Sequence, residues 1–194
     1  MYLFTNNISD IKVLDKVKLE KLEILYLGNN TISDINILDK VNFKELKQLY
    51  LYKNNISDIK VLEKVKFKKL EILDLGENKI SDINILEKVN FKELKELYLY
   101  KNNISDIKVL EKVKFEKLEL LNLGDNKISD INILDKVNFK ELKPLYLYKN
   151  NISDIKVLEK VKFEKLEELD LSDNKIDKIQ NKLIISKMKS ILKI

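Results

Sequence analysis

Hydrophobic residues recur along this chain at fixed positions in a 24-residue unit. In one representative unit the apolar positions are Leu46, Leu49, Leu51, Ile56, Ile59, Leu62, Val65 and Phe67. Units with the same pattern begin at Leu22, Leu46, Leu70, Leu94, Leu118, Leu142 and Leu166. A fixed period of this length predicts a solenoid, in which each unit stacks on its neighbours.

The strand of each unit is predicted by a short stretch in which apolar and polar residues alternate. Leu49-Tyr50-Leu51 has a period of two, which is typical of a strand that buries one face. Leu49 and Leu51 are expected to face the core, and the outward positions are Gln48, Tyr50 and Tyr52. One unit buries too few apolar side chains to offset the ordering of its backbone. Strands of successive units should therefore pair in parallel, about 4.8 Å apart.

A helical turn is predicted after the strand, on the convex side of the solenoid. Ile59, Leu62 and Val65 recur at steps of three, which suits a short α-helix or 3₁₀-helix. The Ser57-Asp58 pair precedes them and predicts an N-cap, because a side-chain oxygen there can accept hydrogen bonds from free helical amides.

Two polar residues recur in almost every unit. An asparagine returns once in each unit, from Asn6 to Asn174, and is expected to lie inside the turn, where it satisfies backbone groups. The second is the aspartate column Asp10, Asp34, Asp58, Asp82, Asp106, Asp130 and Asp154. Calcium needs about six to eight oxygens around one point, whereas this column offers one carboxylate per unit. Helix capping is therefore predicted, and no metal or other cofactor is expected.

The whole chain, residues 1–194, is predicted to be one domain. Its parts are a truncated first repeat (1–21), the repeats (22–176) and a C-terminal cap (177–194). In the cap, Ile184 and Met188 fit one face of a helix. Leu192 and Ile194 then fit the inward positions of a last strand.

The repeated motif resembles that of leucine-rich repeat proteins. Each unit reads Leu-x-x-Leu-x-Leu-x-x-Asn-x-Ile, and Asn-x-Ile-Ser-Asp-Ile returns in nearly every unit up to about residue 179. In this the chain is similar to internalin-like proteins and to phosphatase-regulating leucine-rich repeat proteins. The resemblance implies an α/β fold, a leucine-rich repeat solenoid curved like a horseshoe, with a parallel sheet on its concave face and short α or 3₁₀ helices on its convex face. It also implies a role in protein binding, although the repeat unit is longer here than is usual in those families.

The composition narrows the chemistry open to the chain. It contains no Cys and no His, which excludes disulfides, thiolate metal sites and the commonest general base. Almost every polar residue is one of several copies, so no unique catalytic constellation is found and an enzyme is not expected. No apolar run reaches ~18 residues, so no membrane span is expected. The N-terminal residues do not resemble a signal peptide, and a cytoplasmic location is predicted.

The net charge of +5 comes from the C-terminal end. Residues 175–194 contain six lysines and one acidic residue, and the rest of the chain is balanced. These lysines could contact phosphates or an anionic membrane surface. They have no arginine or aromatic residue among them, so specific nucleic-acid recognition is not expected and a solvated face is preferred.

The tyrosines point to a binding surface. All eight occupy outward strand positions: Tyr2, Tyr26, Tyr50, Tyr52, Tyr98, Tyr100, Tyr146 and Tyr148. Along one column, glycine and tyrosine alternate in the order Gly28, Tyr52, Gly76, Tyr100, Gly124 and Tyr148. Aromatic ridges about 10 Å apart, twice the strand spacing, are therefore expected. A stacked, solvated tyrosine ladder is the alternative.

Tyrosine offers a large amphipathic contact area at low entropic cost, so this face is predicted to bind a protein or a peptide. The predicted partner-binding residues are Tyr26, Tyr50, Tyr52, Lys53, Asp74, Tyr98, Tyr100, Lys101, Asn122, Tyr146, Tyr148 and Lys149. Beside the tyrosines, charges alternate in the order Lys53, Glu77, Lys101, Asp125, Lys149 and Asp173. Exposed lateral ion pairs are the preferred interpretation of this order, and recognition of a charged partner is the alternative.

Non-catalytic protein binding through the concave face is thus the function that the sequence favours. Two alternatives stay open. The chain could form a homo-oligomer through its N-terminal edge, where Met1, Leu3 and Ile8 would border an open core. It could also be a duplicated or engineered array without a dedicated partner, because residues 46–93 and 94–141 differ at only a few positions.

Overall fold

Each repeat contributes one short strand to a single parallel sheet. The computed structural model describes all 194 residues and orders the eight strands as they occur in the sequence. The strands are β1 (Ile24–Tyr26), β2 (Gln48–Tyr50), β3 (Ile72–Asp74), β4 (Glu96–Tyr98), β5 (Leu120–Asn122), β6 (Pro144–Tyr146), β7 (Glu168–Asp170) and β8 (Leu192–Lys193). Leu49 of β2 lies opposite Leu25 and Leu73, each one unit away. The predicted leucine-rich repeat solenoid is confirmed, with strands that begin one residue earlier than expected.

Alternate side chains of each strand enter one continuous core. Leu49 and Leu51 are fully buried, as predicted. Gln48, Tyr50 and Tyr52 are only partly buried on the opposite side of the sheet, which we call the concave face. The buried side chains form a single cluster that runs through every unit. Apolar burial shared between neighbours therefore holds the units together.

The convex side carries short 3₁₀-helices. They span Lys12–Lys16, Asn36–Asp39, Lys60–Glu63, Asn84–Glu87, Lys108–Glu111, Asn132–Asp135 and Lys156–Glu159. Asp58 Oδ1 accepts a hydrogen bond from the amide of Lys60 at 2.9 Å, and each equivalent aspartate does the same. Each aspartate thus bonds the first amide of its helix, as predicted, but the N-cap position was misplaced: it is held by the next residue, Ile59 in this unit, and Ser57 makes no such bond. No group of side chains in the structure is arranged to hold a metal ion.

The recurring asparagine joins neighbouring units inside the turn. The Nδ2 group of Asn54 donates to the carbonyl oxygens of Leu51 and Tyr52 in its own unit, and to that of Leu27 in the preceding unit. Its Oδ1 accepts from the amide of Ile32 at 2.9 Å. Asn54 is 8% exposed, so these backbone groups would otherwise be buried without partners. The predicted structural role is confirmed.

The two ends of the array differ. The tail forms helix α1, Lys182–Lys187, and then β8, in which Leu192 lies opposite Leu169. The helix and the last strand predicted there are both present. The first unit adds only a single bridge to β1. Val13 in this unit is 62% exposed, whereas Val61, at the same position two units later, is 5% exposed because a preceding unit covers it. None of the helices has the length and apolar character needed to cross a membrane.

Candidate protein-binding face

The last residue of each strand from β1 to β7 points outward, and these side chains form one row across the concave face, which we call the tyrosine row. It runs Tyr26, Tyr50, Asp74, Tyr98, Asn122, Tyr146 and Asp170. Each member lies directly opposite the next, because every strand pairs with its neighbour at an offset of one unit. The predicted binding residues of this row are therefore side by side on one surface.

A second column, in which aromatic ridges are predicted, lies two residues further along each unit. The Tyr52 ring lies over Gly28, in the space that a Cβ atom on this glycine would occupy. The same arrangement occurs for Tyr100 on Gly76 and for Tyr148 on Gly124. Each ring leans onto the preceding unit because the missing side chain leaves room for it. The tyrosines therefore lean over the glycines, a direction that the alternation of the two residue types did not predict.

Aromatic rings cluster at the N-terminal end of the concave face. Tyr26 and Tyr50 stack with their ring centroids 4.3 Å apart, and Tyr52 meets Tyr26 edge-on at 6.0 Å. Phe4 also contacts Tyr26, at a centroid distance of 5.5 Å. Phe4 is absent from the predicted site, although the repeat pattern places it one unit before Gly28 on the same face.

The hydroxyl groups of the tyrosine row reach polar side chains at the starts of the strands. Tyr98 Oη donates to Glu96 Oε2 at 2.7 Å, and Tyr50 Oη donates to Gln48 Oε1 at 3.2 Å. Burial raises the pKa of Tyr98, and the hydrogen bond to Glu96 raises it further. Gln48 and Glu96 belong to the face but are missing from the predicted binding residues. Their outward position on the strand, which the repeat pattern shows, was enough to include both residues in the predicted binding face.

Asp74 is the one buried charged side chain of the protein, with 9% exposure. Its Oδ1 accepts a hydrogen bond from the amide of Gly76 at 2.9 Å, and Asn122 makes the same bond to Gly124 at 3.0 Å. Burial raises the pKa of Asp74 to about 6; the Gly76 amide lowers it and the charge of Glu77 raises it by smaller amounts. Asp74 and Asn122 thus share one local structure, and only Asp74 adds a charge.

Lys53, Lys101 and Lys149 lie in a column at the rim of the concave face. The column is Asn29, Lys53, Glu77, Lys101, Asp125, Lys149 and Asp173, and every member has a φ of 50–57°. The predicted lateral ion pairs are mostly wrong, because only Lys101 and Glu77 approach each other, at 3.2 Å. Glu77 lies between Lys53 and Lys101 and pairs only with Lys101. Asp125 and Asp173 form no ion pair with the neighbouring lysines, because an aspartate side chain is one methylene group shorter than a glutamate. Ion pairs between units form instead at the strand starts, for example between Lys95 and Glu71 at 2.8 Å.

Comparisons with known proteins agree with this architecture. A family model described as leucine-rich repeats (two copies) matches residues 44–88, 92–136 and 140–183. An internalin (inlF) from Listeria monocytogenes is 31% identical, with a TM-score of 0.77 over 95% of this chain. Internalin C2 (inlC2) from the same species is 26% identical, with a TM-score of 0.76 over 100% of this chain.

A third similar structure is the leucine-rich repeat ectodomain of the plant membrane receptor kinase GASSHO1/SCHENGEN3 from Arabidopsis thaliana, in complex with CASPARIAN STRIP INTEGRITY FACTOR 2. It is 28% identical, with a TM-score of 0.60 over 77% of this chain. The chain spans 51% of the inlF structure, 77% of the inlC2 structure and 18% of the receptor structure. No curated protein matches the chain by sequence.

Proposed function

Because the chain belongs to the leucine-rich repeat family and is internalin-like, we propose that its concave face binds another protein or a peptide without catalysing a reaction. Proteins with this fold generally act as protein–protein interaction scaffolds. The structure of the similar plant ectodomain is a complex with CASPARIAN STRIP INTEGRITY FACTOR 2. The proposed contact residues are Tyr26, Tyr50, Tyr52, Lys53, Asp74, Tyr98, Tyr100, Lys101, Asn122, Tyr146, Tyr148 and Lys149.

The tyrosine row is the observation that carries this proposal. Tyr50, Tyr98 and Tyr146 are each partly exposed, and each hydroxyl has an acceptor on the same face. Side chains held in this way lose little further conformational freedom when a partner covers them. Rigid aromatic side chains with a polar end are enriched in protein interfaces for this reason.

A variant with Tyr50→Ser, Tyr98→Ser and Tyr146→Ser tests the proposal. Peptides are first selected from a random library on the immobilised wild-type chain, and their affinities are then measured by calorimetry. The triple variant should bind them at least about tenfold more weakly, because central aromatic contacts dominate interface energies.

The matched control replaces three exposed lysines of the convex side, Lys60→Ser, Lys108→Ser and Lys156→Ser. These lysines also lie in every second unit, so the control changes the same number of units. It should bind the peptides with wild-type affinity. Equal affinity of all three proteins, or an equal loss in both variants, would refute binding at the concave face.

A further inference from the structure

We propose that Asp74 and the tyrosines around it form a site for one basic side chain, lysine or arginine, of the bound protein or peptide. This inference rests on the proposed function and specifies the chemistry of the partner at the centre of the concave face. Three features of the site support it: the aromatic neighbours, the unpaired carboxylate and the charges nearby.

Aromatic side chains lie on both sides of Asp74. The strand register places Tyr50 of β2 and Tyr98 of β4 directly opposite it in the tyrosine row. Further along the same units, the Tyr100 ring lies on Gly76, two residues after Asp74. Tyrosine rings attract cations through their negative faces, and such contacts become stronger where water is excluded.

The carboxylate itself lacks a cationic partner within the chain. Asp74 is nine-tenths buried, yet only Oδ1 accepts a hydrogen bond, from the amide of Gly76. Its Oδ2 accepts none, and no lysine is among the groups that influence its pKa. Buried carboxylates are normally paired, because removal from water is costly for an isolated charge. A basic side chain from a partner would supply the missing counter-charge.

The charged side chains that act on the tyrosines of this site, Asp74, Glu77 and Glu96, are all acidic. Burial raises the pKa of Tyr98 and of Tyr100, and the charge of Asp74 raises both further. Glu96 adds to this effect at Tyr98, and Glu77 adds to it at Tyr100. Of the rim lysines in the two neighbouring units, Lys101 is paired with Glu77 at 3.2 Å, and neither Lys101 nor Lys53 is among the charges that shift the pKa of Asp74. The site therefore favours a cation over a neutral or acidic side chain.

The chain contains two natural comparisons for this site. Asn122 lies between Tyr98 and Tyr146 and makes the same bond to the following glycine, but it carries no charge. Asp170 carries the charge, but the side chain of Ser172 donates to it and Lys193 of β8 lies opposite it. Asp74 alone combines a free carboxylate oxygen with tyrosines on both sides.

Selection from a random-peptide library on two immobilised proteins, wild type and Asp74→Asn, tests the inference. Peptides recovered on the wild type should be enriched in lysine or arginine relative to the library, and this enrichment should disappear on Asp74→Asn. The asparagine retains the acceptor for the Gly76 amide, as Asn122 shows, so the variant keeps the local fold. Individual basic peptides should bind Asp74→Asn about tenfold or more weakly.

A third protein, Asp74→Asn combined with Asn122→Asp, moves the charge by two units and should restore the enrichment. Absence of basic residues among the selected peptides, or equal enrichment on Asp74→Asn, would overturn the inference. The proposed function would survive that result if the same peptides lose affinity for the Tyr50, Tyr98 and Tyr146 triple serine variant. If they bind that variant as tightly as the wild type, the proposed function fails as well.

Discussion

The inner and outer sides of the same strands follow different periods. On the inner side, residues equivalent to Leu49 and to the turn residue Asn54 return in every unit, and from Leu25 and Asn30 to Leu145 and Asn150 all of them are buried. On the concave face the pattern from Tyr50 onward returns only in every second unit, with Tyr50 and Tyr52 in one unit and Asp74 in the position of Tyr50 in the next; Tyr26, one unit before Tyr50, is the exception. Core packing requires side chains of the same size and polarity in every unit. On the concave face, side chains of adjacent units need only be complementary in shape, as Tyr52 and Gly28 are. The two sides should therefore respond differently to substitution.

The largest effect is expected on the inner side, for Asn102→Ala. Asn102 Nδ2 donates to three backbone carbonyl oxygens, and its Oδ1 accepts from the amide of Ile80. The substitution leaves several buried polar groups without partners, so the free energy of unfolding should fall by about 3–5 kcal/mol. Urea denaturation followed by circular dichroism measures this loss.

Asn103→Ala is the matched control, because the Asn103 side chain makes no hydrogen bond to the chain. It should change the free energy of unfolding by less than about 0.5 kcal/mol. If the two alanine variants were equally stable, the turn hydrogen bonds would not be what joins the units.

On the concave face, Asp74→Asn should change the free energy of unfolding in the opposite direction and stabilise the protein. Burial raises the pKa of Asp74 from 3.8 to about 6, which means that the charged form is disfavoured in the folded state. Asparagine keeps the hydrogen bond to Gly76 and removes the charge, so the free energy of unfolding at pH 7 should rise by about 1–3 kcal/mol.

The pH dependence gives a second measure of this effect. Between pH 3.8 and about 6 the folded carboxyl retains a proton that the unfolded carboxyl has lost, so the stability contributed by Asp74 falls as pH rises. The stability difference between Asp74→Asn and the wild type should grow across this range and stay constant above it. A difference that does not change with pH would show that Asp74 is solvated like an ordinary carboxylate.

The smallest effect is expected at the rim, for Lys53→Asn. Lys53 has a φ of 53°, a left-handed conformation that asparagine tolerates better than lysine, and Asn29 occupies this position one unit earlier. The substitution should stabilise the fold by about 0.5–1 kcal/mol in thermal unfolding. Lys60→Asn is the control, since Asn36 and Asn84 occupy its position in neighbouring units, and it should be neutral.

Much of the inner side could be predicted from the sequence. The spacing of Leu49 and Leu51 predicted their burial, the recurring Asn54 predicted the bonds inside the turn, and Asp58 predicted a side-chain bond to the first helical amide. These predictions succeed because each depends on one residue and on the backbone within one or two units. The tail was also predictable, since Leu192 repeats an inward strand position.

The concave face could be located but not described in detail. The repeat pattern placed Tyr52 and Lys53 on the correct side of the sheet. It could not show that the Tyr52 ring lies on Gly28, because the direction of a side chain depends on the space left by its neighbour. The ion pairs were mispredicted for a similar reason, since the reach of Glu77 and Asp125 differs by one methylene group. Binding by these residues stays a prediction.

The asparagine bonds also determine how the molecule can come apart. Each reaches back by one unit only, as from Asn54 to Leu27, and each strand pairs only with adjacent strands. Opening one end therefore releases that unit without disturbing the middle of the array. The terminal repeats should fray first and re-form most often, while β4 and β5 open only when several neighbours have already separated. The centre of the concave face, at Asp74 and Tyr98, thus lies in the part of the chain with the slowest motions.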